Sequence, residues 1–406
     1  MTTITTERAA PPEAPQPGDD PPLPVSGILD VSENQAFLRA SGYRLGRDDV
    51  YVPMSLVRQA GLRKGDQVTG AARAPRQAAG DRGGRGSRAQ EKYRVLSRVD
   101  TVSGMEPAAA RARPDFDELT PVYPSERLRL DGGSASPTAR IVDLVSPVGK
   151  GQRGLIVSAP KAGKTMVLQA IAAAVSAAHP EVHLMVVLVG ERPEEVTDLR
   201  RSVRGEVAFS TFDQSAGDHI RVAELAVERA KRLVELGRDV VVLLDSITRL
   251  GRAYNLAAPA SSRILAGGVA TSALQPPRRF LGAARNVEEG GSLTILSTAL
   301  VDNGSRMDDV FFEEFKGTGN MELRLRRDLA EKRLFPAVDV APSGTRRDDL
   351  LMSSEELAAV DSLRRALAGL DPQQALELLL SSTRDTTSNL EFLLHVRRTA
   401  RPPAGR

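Results

Sequence analysis

A short apolar run that ends in Gly-Lys-Thr constrains this chain more than any other feature. Residues 154–165 read GLIVSAPKAGKT, and an Ala-rich helical pattern follows at 166–178. A loop between a buried strand and a helix directs backbone N–H groups at one point, which suits phosphate oxygens. We expect Lys164 to contact the β- and γ-phosphates and Thr165 to hold Mg²⁺. A chance Gly-Lys-Thr turn is the alternative, because Ser158 stands where the phosphate-loop pattern has its first glycine.

Further apolar runs and helical patterns follow this segment. The runs are mostly continuous rather than alternating, which is typical of a largely parallel sheet covered on both faces. They occupy residues 183–189, 207–212, 240–244 and 293–299, with helical patterns such as 193–203 and 218–236 between them. The sequence therefore predicts a doubly wound α/β domain over residues 137–406, with its ligand at the carboxyl ends of the strands.

Two acids stand at the ends of these apolar runs. Asp245 follows the run VVVLL, and Glu191 follows the run at 183–189. We expect Asp245 to hold the hydration shell of Mg²⁺ and Glu191 to orient or deprotonate the attacking water. The alternatives are a helix N-cap for Asp245 and a first-turn acid, favoured by the helix dipole, for Glu191. Two such acids in a chain that also has Gly-Lys-Thr predict nucleotide hydrolysis.

The N-terminal part of the chain has a different character. Residues 1–24 hold seven prolines and no aromatic residue, which predicts a disordered tail. Five short strand-like pieces over residues 25–104 predict a small β-barrel, interrupted at 71–90 by a Gly- and Arg-rich insert that we expect to be a mobile loop. Residues 105–136 are rich in proline and predict an extended linker.

Positive charge is concentrated in the predicted barrel. Between residues 58 and 98 eleven basic residues face three acidic ones, and Phe37, Tyr51 and Tyr93 are candidate stacking residues. A basic groove with aromatic platforms is how small barrels hold single-stranded nucleic acid. A solvated charged loop and ordinary core aromatics are the alternatives.

Composition excludes several kinds of site. The chain has no cysteine, which excludes disulfides, thiolate catalysis and cysteine metal sites, and its four histidines suggest no shared metal site. No apolar stretch reaches the roughly 18 residues of a membrane span, and the N-terminus lacks the apolar region of a signal peptide. We therefore expect a cytoplasmic protein that has no membrane partner.

Several longer strings make a family resemblance specific. They are KAGKT at 161–165, ERPEEVTDLR at 191–200, LLDSITRLGRAYN at 243–255, GAARNVEEGGSLTI at 282–295 and EEFKGTGNMEL at 313–323, with EKRLFPA and SGTRRDDLL further on. From about residue 25 to residue 396 the chain resembles the bacterial transcription termination factors of the Rho family. The phosphate loop of that family also lacks the first glycine, which accounts for Ser158.

The resemblance implies a ring-shaped homohexamer that uses ATP and Mg²⁺ to move along RNA. Its parts would be a RecA-like P-loop ATPase domain and an N-terminal barrel of the OB or cold-shock type. The implied partners are single-stranded, pyrimidine-rich or C-rich RNA and the RNA polymerase elongation complex, and the implied function is an RNA helicase that terminates transcription. Two alternatives stay open: a RecA-like ring ATPase that acts on another nucleic acid or drives transport, and a nucleotide-gated RNA-binding protein with weak turnover.

The resemblance also assigns roles at the nucleotide site. Lys164, Glu191 and Asp245 would be catalytic. Arg346 would be an arginine finger that reaches the neighbouring subunit's nucleotide, a contribution of about 10³ to 10⁵ in rate. Phe335 would stack on adenine, and Arg192 and Arg249 would lie near the subunit interface. The implied nucleotide-binding loop comprises Ser158, Ala159, Pro160, Lys161, Ala162, Gly163, Lys164, Thr165 and Met166.

A third set of roles concerns RNA. Tyr51, Glu91 and Tyr93 would form a pyrimidine pocket in the barrel, beside Phe37. Arg263 would lie on one pore loop, at residues 257–270, and Arg306 on a second, at 301–307.

The chain departs from the family at two of these places. Gln35 stands where the family commonly has an aromatic residue, so only Phe37 remains, and Gly190 replaces the usual acid just before Glu191.

Overall fold

The computed structural model describes residues 22–74, 92–132 and 135–399, which form two compact units. The first unit consists of the chain up to Arg111 without two short segments, Gly42–Arg44 and Lys64–Asp66; these belong to the second unit, which otherwise begins at Ala112. Strands β1 to β14 are Leu23–Ser32, Gln35–Arg39, Val50–Val52, Gln67–Arg73, Arg94–Val102, Pro121–Val122, Arg153–Ser158, His183–Glu191, Glu206–Thr211, Asp239–Asp245, Arg285–Val287, Ser292–Leu300, Met321–Leu325 and Val338–Thr345. Helices α1 to α13 are Met54–Ala60, Pro107–Arg111, Pro137–Val145, Lys164–Ala178, Pro193–Ser202, Ala216–Val234, Ile247–Leu256, Thr271–Gly282, Arg306–Lys316, Arg327–Glu331, Ser354–Leu367, Pro372–Arg384 and Asn389–Thr399.

The first unit contains a closed five-stranded barrel. Its strands follow the order β1-β2-β3-β5-β4, and β1 pairs antiparallel with both β2 and β4. Alternate side chains of these strands point inward, since successive residues of a strand face opposite sides. The buried core includes Leu29, Leu38, Val52, Val68 and Leu96. The predicted small β-barrel is therefore confirmed.

The edges of the barrel differ from the sequence prediction. Strand β1 begins at Leu23, so the last two residues of the predicted tail belong to the barrel. Strand β4 continues to Arg73, so the predicted insert begins three residues too early; Ala71 and Ala72 are buried small residues that pack in the barrel. The rest of the predicted tail and insert, residues 1–21 and 75–90, lies outside the described residues.

The segment predicted as an extended linker, 105–136, is also more ordered than its prolines suggested. It contains α2, a 3₁₀ turn at Phe116–Glu118 and the short strand β6, which pairs with β11. Phe116, Leu128 and Leu130 in this segment are at most 1 % exposed. The segment packs because apolar residues alternate with its prolines, a pattern too irregular for a periodicity argument.

The second unit is built on one large sheet. Its main path runs β14-β13-β7-β12-β10-β8-β9, and the five pairings from β13 to β9 are parallel. The interior strands are buried along almost their whole length, as β7 and β10 illustrate. Because parallel strands share a direction, their carboxyl ends meet at one edge of the sheet. The predicted α/β domain with a mostly parallel sheet is confirmed.

Amphipathic helices cover this sheet. Helix α4 buries Val167, Leu168, Ile171 and Val175 on one face, spaced three and four residues apart. Helix α6 begins at the N-cap Ser215, whose side chain accepts a hydrogen bond from the N–H of Asp218. In the described ranges, no helix combines the length and the apolar character that crossing a bilayer requires.

Candidate functional site

The turn between β7 and α4 has the backbone shape of an anion-binding loop. Lys161 and Gly163 have positive φ angles of 67° and 93°, and α4 begins at Lys164 directly after them. A side chain at Gly163 would be strained at this φ, and its Cβ would lie only 3.3 Å from the ring of Phe335. Phe335 thus packs against the loop, next to the N-terminus of α4. The first backbone N–H groups of a helix have no carbonyl partner within the helix.

Lys164 lies at the centre of a cluster of charges. Its Nζ is 2.9 Å from Oε1 of Glu191 and 2.7 and 2.8 Å from the two carboxylate oxygens of Asp245. The two acid side chains are 3 % and 2 % exposed, whereas the Lys164 side chain is 19 % exposed. Three residues that lie far apart in the sequence, and that motif and strand position predicted, therefore meet at one point.

The sheet brings the two acids together. Glu191 is the last residue of β8, Asp245 is the last residue of β10, and these strands are neighbours in the sheet. The N-cap of α7 is Ser246, whose hydroxyl accepts from the N–H of Arg249, so Asp245 does not serve as the cap. The first-turn acids of α5 are Glu194 and Glu195 rather than Glu191. Asp245 is therefore not a helix N-cap, and Glu191 is not a first-turn acid of a helix.

Arg249 is a second cation at Glu191. Its Nη1 forms an ion pair with Oε1 of Glu191 and donates to the carbonyl of Gly190 at 2.9 Å. Burial would raise the pKa of Glu191, but the hydrogen bond from Arg249 and the charge of Lys164 outweigh burial and lower it. Glu191 is therefore a carboxylate over most of the pH range. Arg249 thus contacts the acid of its own chain, and its predicted place near a subunit interface stays a prediction.

Gly190 fits this contact. Its φ of 65° lies in the left-handed region, and a Cβ at this position would face Arg249 and His219 at 3.5 to 3.9 Å. An acid at this position would lie beside the same guanidinium that binds Glu191. In this chain Arg249 has no such competitor at residue 190.

Thr298 is a site residue that the sequence analysis missed. Its hydroxyl donates to Oδ1 of Asp245 at 2.7 Å from the adjacent strand β12. It fixes the carboxylate whose other partner is Lys164. A buried threonine inside the apolar run at 293–299 was the available signal, since a buried hydroxyl needs a partner.

Arg346 lies at the opposite end of the sheet from the phosphate loop. Its N–H donates to the carbonyl of Asn320, which precedes β13, and β13 begins beside Gly154 near the start of β7. The six residues of β7 at roughly 3.3 Å each separate this end from the loop by about 16 Å. An arginine side chain cannot span that distance, so Arg346 does not reach the phosphate loop of its own chain.

The remaining arginines that the resemblance singled out are exposed. Arg192 is exposed and lies 3.4 Å from Glu195. Arg263 and Arg306 are exposed as well, and the two predicted pore loops touch: a Cβ at Gly267 would lie 2.9 Å from the backbone oxygen of Arg306. The structure thus brings the two loops together.

The barrel holds an aromatic cluster. The ring centroid of Phe37 is 5.6 Å from that of Tyr51 and 5.2 Å from that of Tyr93, both edge to face. Tyr51 is only 6 % exposed, so the accessible aromatic surface belongs to Phe37 and Tyr93. Glu91, the predicted carboxylate of this pocket, lies outside the described residues.

Two charged residues beside this cluster were missed. Arg39 lies 5.3 Å from the Phe37 ring and donates to Asp49 at 2.6 Å. Oδ1 of Asp49 is buried and has no hydrogen-bond partner in the described part of the chain. The spacing of Asp49 and Tyr51, two residues apart next to β3, was a usable signal, because such residues share one side of a strand.

A cavity of about 520 Å³ opens beside these residues. Its walls combine one aromatic ring, two carboxylates and several cations. The lining includes Arg47, Asp49, Lys92, Tyr93 and Arg94.

Comparison with known proteins identifies both units. The model of the ATP synthase alpha/beta family nucleotide-binding domain matches residues 138–345, and the model of the Rho termination factor RNA-binding domain matches residues 25–108. Among solved structures, an ATPase of a bacterial type III secretion system is similar at a TM-score of 0.58 and 23 % identity, over 69 % of this chain and 87 % of that one. EscN, from the type III secretion system of enteropathogenic E. coli, is similar at a TM-score of 0.57 and 22 % identity, over 71 % and 74 % of the two chains. These two likenesses show the shared ATPase fold alone.

Curated relatives are far closer in sequence. The transcription termination factor Rho of Streptomyces lividans is 63 % identical over 95 % of this chain and 53 % of its own length, and that of Mycobacterium tuberculosis is 60 % identical over 94 % and 62 %. The chain thus spans about half to three fifths of the length of these relatives. Rho of Streptosporangium roseum is 56 % identical over 98 % of both chains. With both domain models and a relative matched over 98 % of both chains in agreement, the chain belongs to the transcription termination factor Rho family.

Proposed function

We propose that this protein is an ATP-driven RNA translocase and helicase that binds nascent single-stranded RNA and terminates transcription. The observation that carries the proposal is the contact of Lys164 with both Glu191 and Asp245, at the sheet edge where such folds bind ligands. The same chain carries a matching RNA-binding domain at residues 25–108. Nucleotide turnover and RNA binding are thus combined in one molecule.

The nucleotide would be ATP with Mg²⁺. Asp245 and Thr165 offer the hard oxygen ligands that Mg²⁺ prefers, and Mg²⁺ usually takes only one or two protein ligands beside the phosphates. No group of three or more His, Asp or Glu residues within the described ranges suggests another metal site. When bound, Mg²⁺ would neutralise charge on the phosphates, while Thr298 holds Asp245 in place.

Glu191 is proposed to orient and deprotonate the attacking water. A general base must be deprotonated before the reaction, and the lowered pKa of Glu191 keeps it so. When nucleotide binds, Lys164 would leave the two carboxylates and contact phosphate oxygens. Arg249 would hold the Glu191 side chain in its orientation.

The role of Arg249 leads to a pH prediction. Replacing Arg249 with glutamine is expected to move the acidic limb of the kcat/KM profile for ATP to higher pH, because burial then raises the pKa of Glu191 with only Lys164 opposing it. The check is kcat/KM between about pH 4 and pH 8, since this ratio reports the free enzyme. An unchanged acidic limb would show that Glu191 does not set it.

Arg346 is proposed to complete the site of a neighbouring copy. It is exposed, and it lies about 16 Å from its own phosphate loop by the length of β7. A head-to-tail contact that repeats with closure generates a ring. We therefore infer a ring, with six subunits as in the resemblance.

RNA is proposed to bind at two places. In the barrel, Phe37 and Tyr93 would stack on bases, and Asp49, which lines the adjacent cavity, would accept from an exocyclic amine such as that of cytosine. Arg263 and Arg306 on the touching loops would bind RNA phosphates in the pore, because the N–H donors of a guanidinium can contact two phosphate oxygens at once. A protein with this role acts on the RNA polymerase elongation complex, in the cytoplasm.

ATPase assays with different nucleic acids test the proposal. We expect purified protein to hydrolyse ATP many-fold faster with poly(C) than without RNA, and electron microscopy to reveal six-membered rings. Stimulation by duplex DNA alone would favour a ring ATPase that acts on another nucleic acid. RNA binding without turnover would favour a nucleotide-gated RNA-binding protein.

A further inference from the structure

Asn320 joins two parts of the ATPase domain through its side chain. It immediately precedes β13, and its Oδ1 accepts hydrogen bonds from Nε2 of Gln152 at 2.7 Å and from the backbone N–H of Arg153 at 2.8 Å. Arg153 is the first residue of β7, the strand that ends at the phosphate loop. Asn320 is therefore bonded to the start of the strand that carries the nucleotide loop.

The main chain of Asn320 makes a second connection. Its carbonyl accepts from the N–H of Arg346 at 2.8 Å, and its own N–H donates to the carbonyl of Arg153 at 2.9 Å. One residue thus bonds both the first residue of β7 and the backbone of Arg346. Because β7 is buried and paired on both sides, a shift of the loop is passed along the strand to Asn320.

The backbone around Arg346 is held, but its side chain is not. The hydroxyl of Thr345 donates to the carbonyl of Pro147 at 2.6 Å, and Arg347 is paired with Asp349 at 3.0 Å. The Arg346 guanidinium is exposed and has no ion pair among the residues the structure describes. It lines a cavity of about 270 Å³ together with Lys316. A fixed backbone with a free cationic end suits a group that acts on a neighbouring molecule.

We propose that Asn320 is the positioning residue of the arginine finger: it fixes Arg346 relative to β7, so that the nucleotide loop of one subunit sets the finger presented to the next. The inference rests on the proposed function, because it needs an ATPase ring in which Arg346 acts in trans. Asn320 itself touches no nucleotide in this scheme. Loss of the Asn320 side chain should leave nucleotide binding in its own subunit intact and impair ATP turnover at the site of the neighbouring subunit.

Asn320→Ala tests the proposal directly. It removes the acceptor for Gln152 and Arg153, and we expect kcat for RNA-stimulated ATP hydrolysis to fall about 10²-fold, the scale of a 1 Å misplacement, with KM for ATP nearly unchanged. Asn286→Ala is the matched control, because Asn286 is also half-buried and its side chain donates to a backbone carbonyl, that of Tyr123 at 3.4 Å. The control should keep wild-type turnover. Asn320→Asp retains the acceptor oxygen and should recover turnover; a loss as large as that of Asn320→Ala would overturn the proposal.

Mixed rings separate positioning from a general structural defect. Mixing Asn320→Ala with Lys164→Ala subunits should restore part of the turnover, since the second variant supplies an intact finger to the intact site of the first. Mixing Asn320→Ala with Arg346→Ala should restore none, because both lack a working finger. Equal failure in both mixtures, or full activity of Asn320→Ala alone, would overturn the role of Asn320. Wild-type protein without RNA-stimulated turnover would instead overturn the proposed function.

Discussion

Lys164→Ala is expected to lower ATP turnover by about 10³, the scale for loss of one preorganised charge-stabilising donor at a reaction centre. Lys164 is the only residue in the described structure that is bonded to both Glu191 and Asp245. Its ammonium group is also at the start of α4, where the loop N–H groups converge. Both positioning of the acids and stabilisation of phosphate charge are lost together. Steady-state hydrolysis with saturating poly(C) measures the effect.

Lys161→Ala is the control within the same loop. Lys161 is exposed and its side chain has no hydrogen bond or ion pair within the described ranges, so we expect a loss of about tenfold from weaker phosphate attraction alone. Equal losses in the two variants would contradict a role for Lys164 beyond that of any other cation in the loop.

Lys164→Ala should also lower the free energy of unfolding. Lys164→Ala leaves the buried carboxylate of Asp245 without its cation, and breaking a buried ion pair in this way costs about 3 kcal/mol or more. Thermal unfolding should therefore be recorded for both variants, and turnover compared well below the lower transition.

The sheet could be predicted because its signals are local. A continuous apolar run such as β10, buried on both faces, is recognised without knowing its neighbours. The strand-end positions of Glu191 and Asp245 then followed from the rule for parallel sheets. The sequence analysis named no helix at 137–145, where the predicted α/β domain begins, although Ser136 caps α3 and Pro137 begins it.

The side-chain contacts could not be predicted in the same way. Thr298, Asp49 and Asn320 are distinguished by the atoms that they bond, and those atoms come from distant parts of the chain. The contact of Arg249 with Glu191 has the same origin, since α7 and β8 meet only in the folded sheet. Motifs therefore gave the proposed reacting groups, whereas tertiary packing determines which residues hold them.

The largest expected effect beyond the phosphate loop concerns Arg346. Arg346→Ala should lower kcat by about 10³ to 10⁵, because an arginine finger supplied in trans stabilises charge that develops only in the transition state. ATP binding should change little, because the charge that the finger stabilises is absent from the bound ground state. Arg347→Ala is the matched control: this neighbouring arginine is paired with Asp349 and stacked on Tyr123, so its loss removes an equal charge without a finger.

Mixed rings decide whether the finger acts in trans. In a head-to-tail ring each interface combines the site of one subunit with the finger of the next. Arg346→Ala subunits keep Glu191 and lack the finger, whereas Glu191→Gln subunits keep the finger and lack the base. Random mixing of equal amounts places an intact site beside an intact finger at about a quarter of the interfaces, so turnover should rise well above that of either variant alone. No recovery at any ratio, in rings verified to be mixed, would contradict an arginine finger in trans, and the position of Arg346 at the far end of β7 would then need a purely structural explanation.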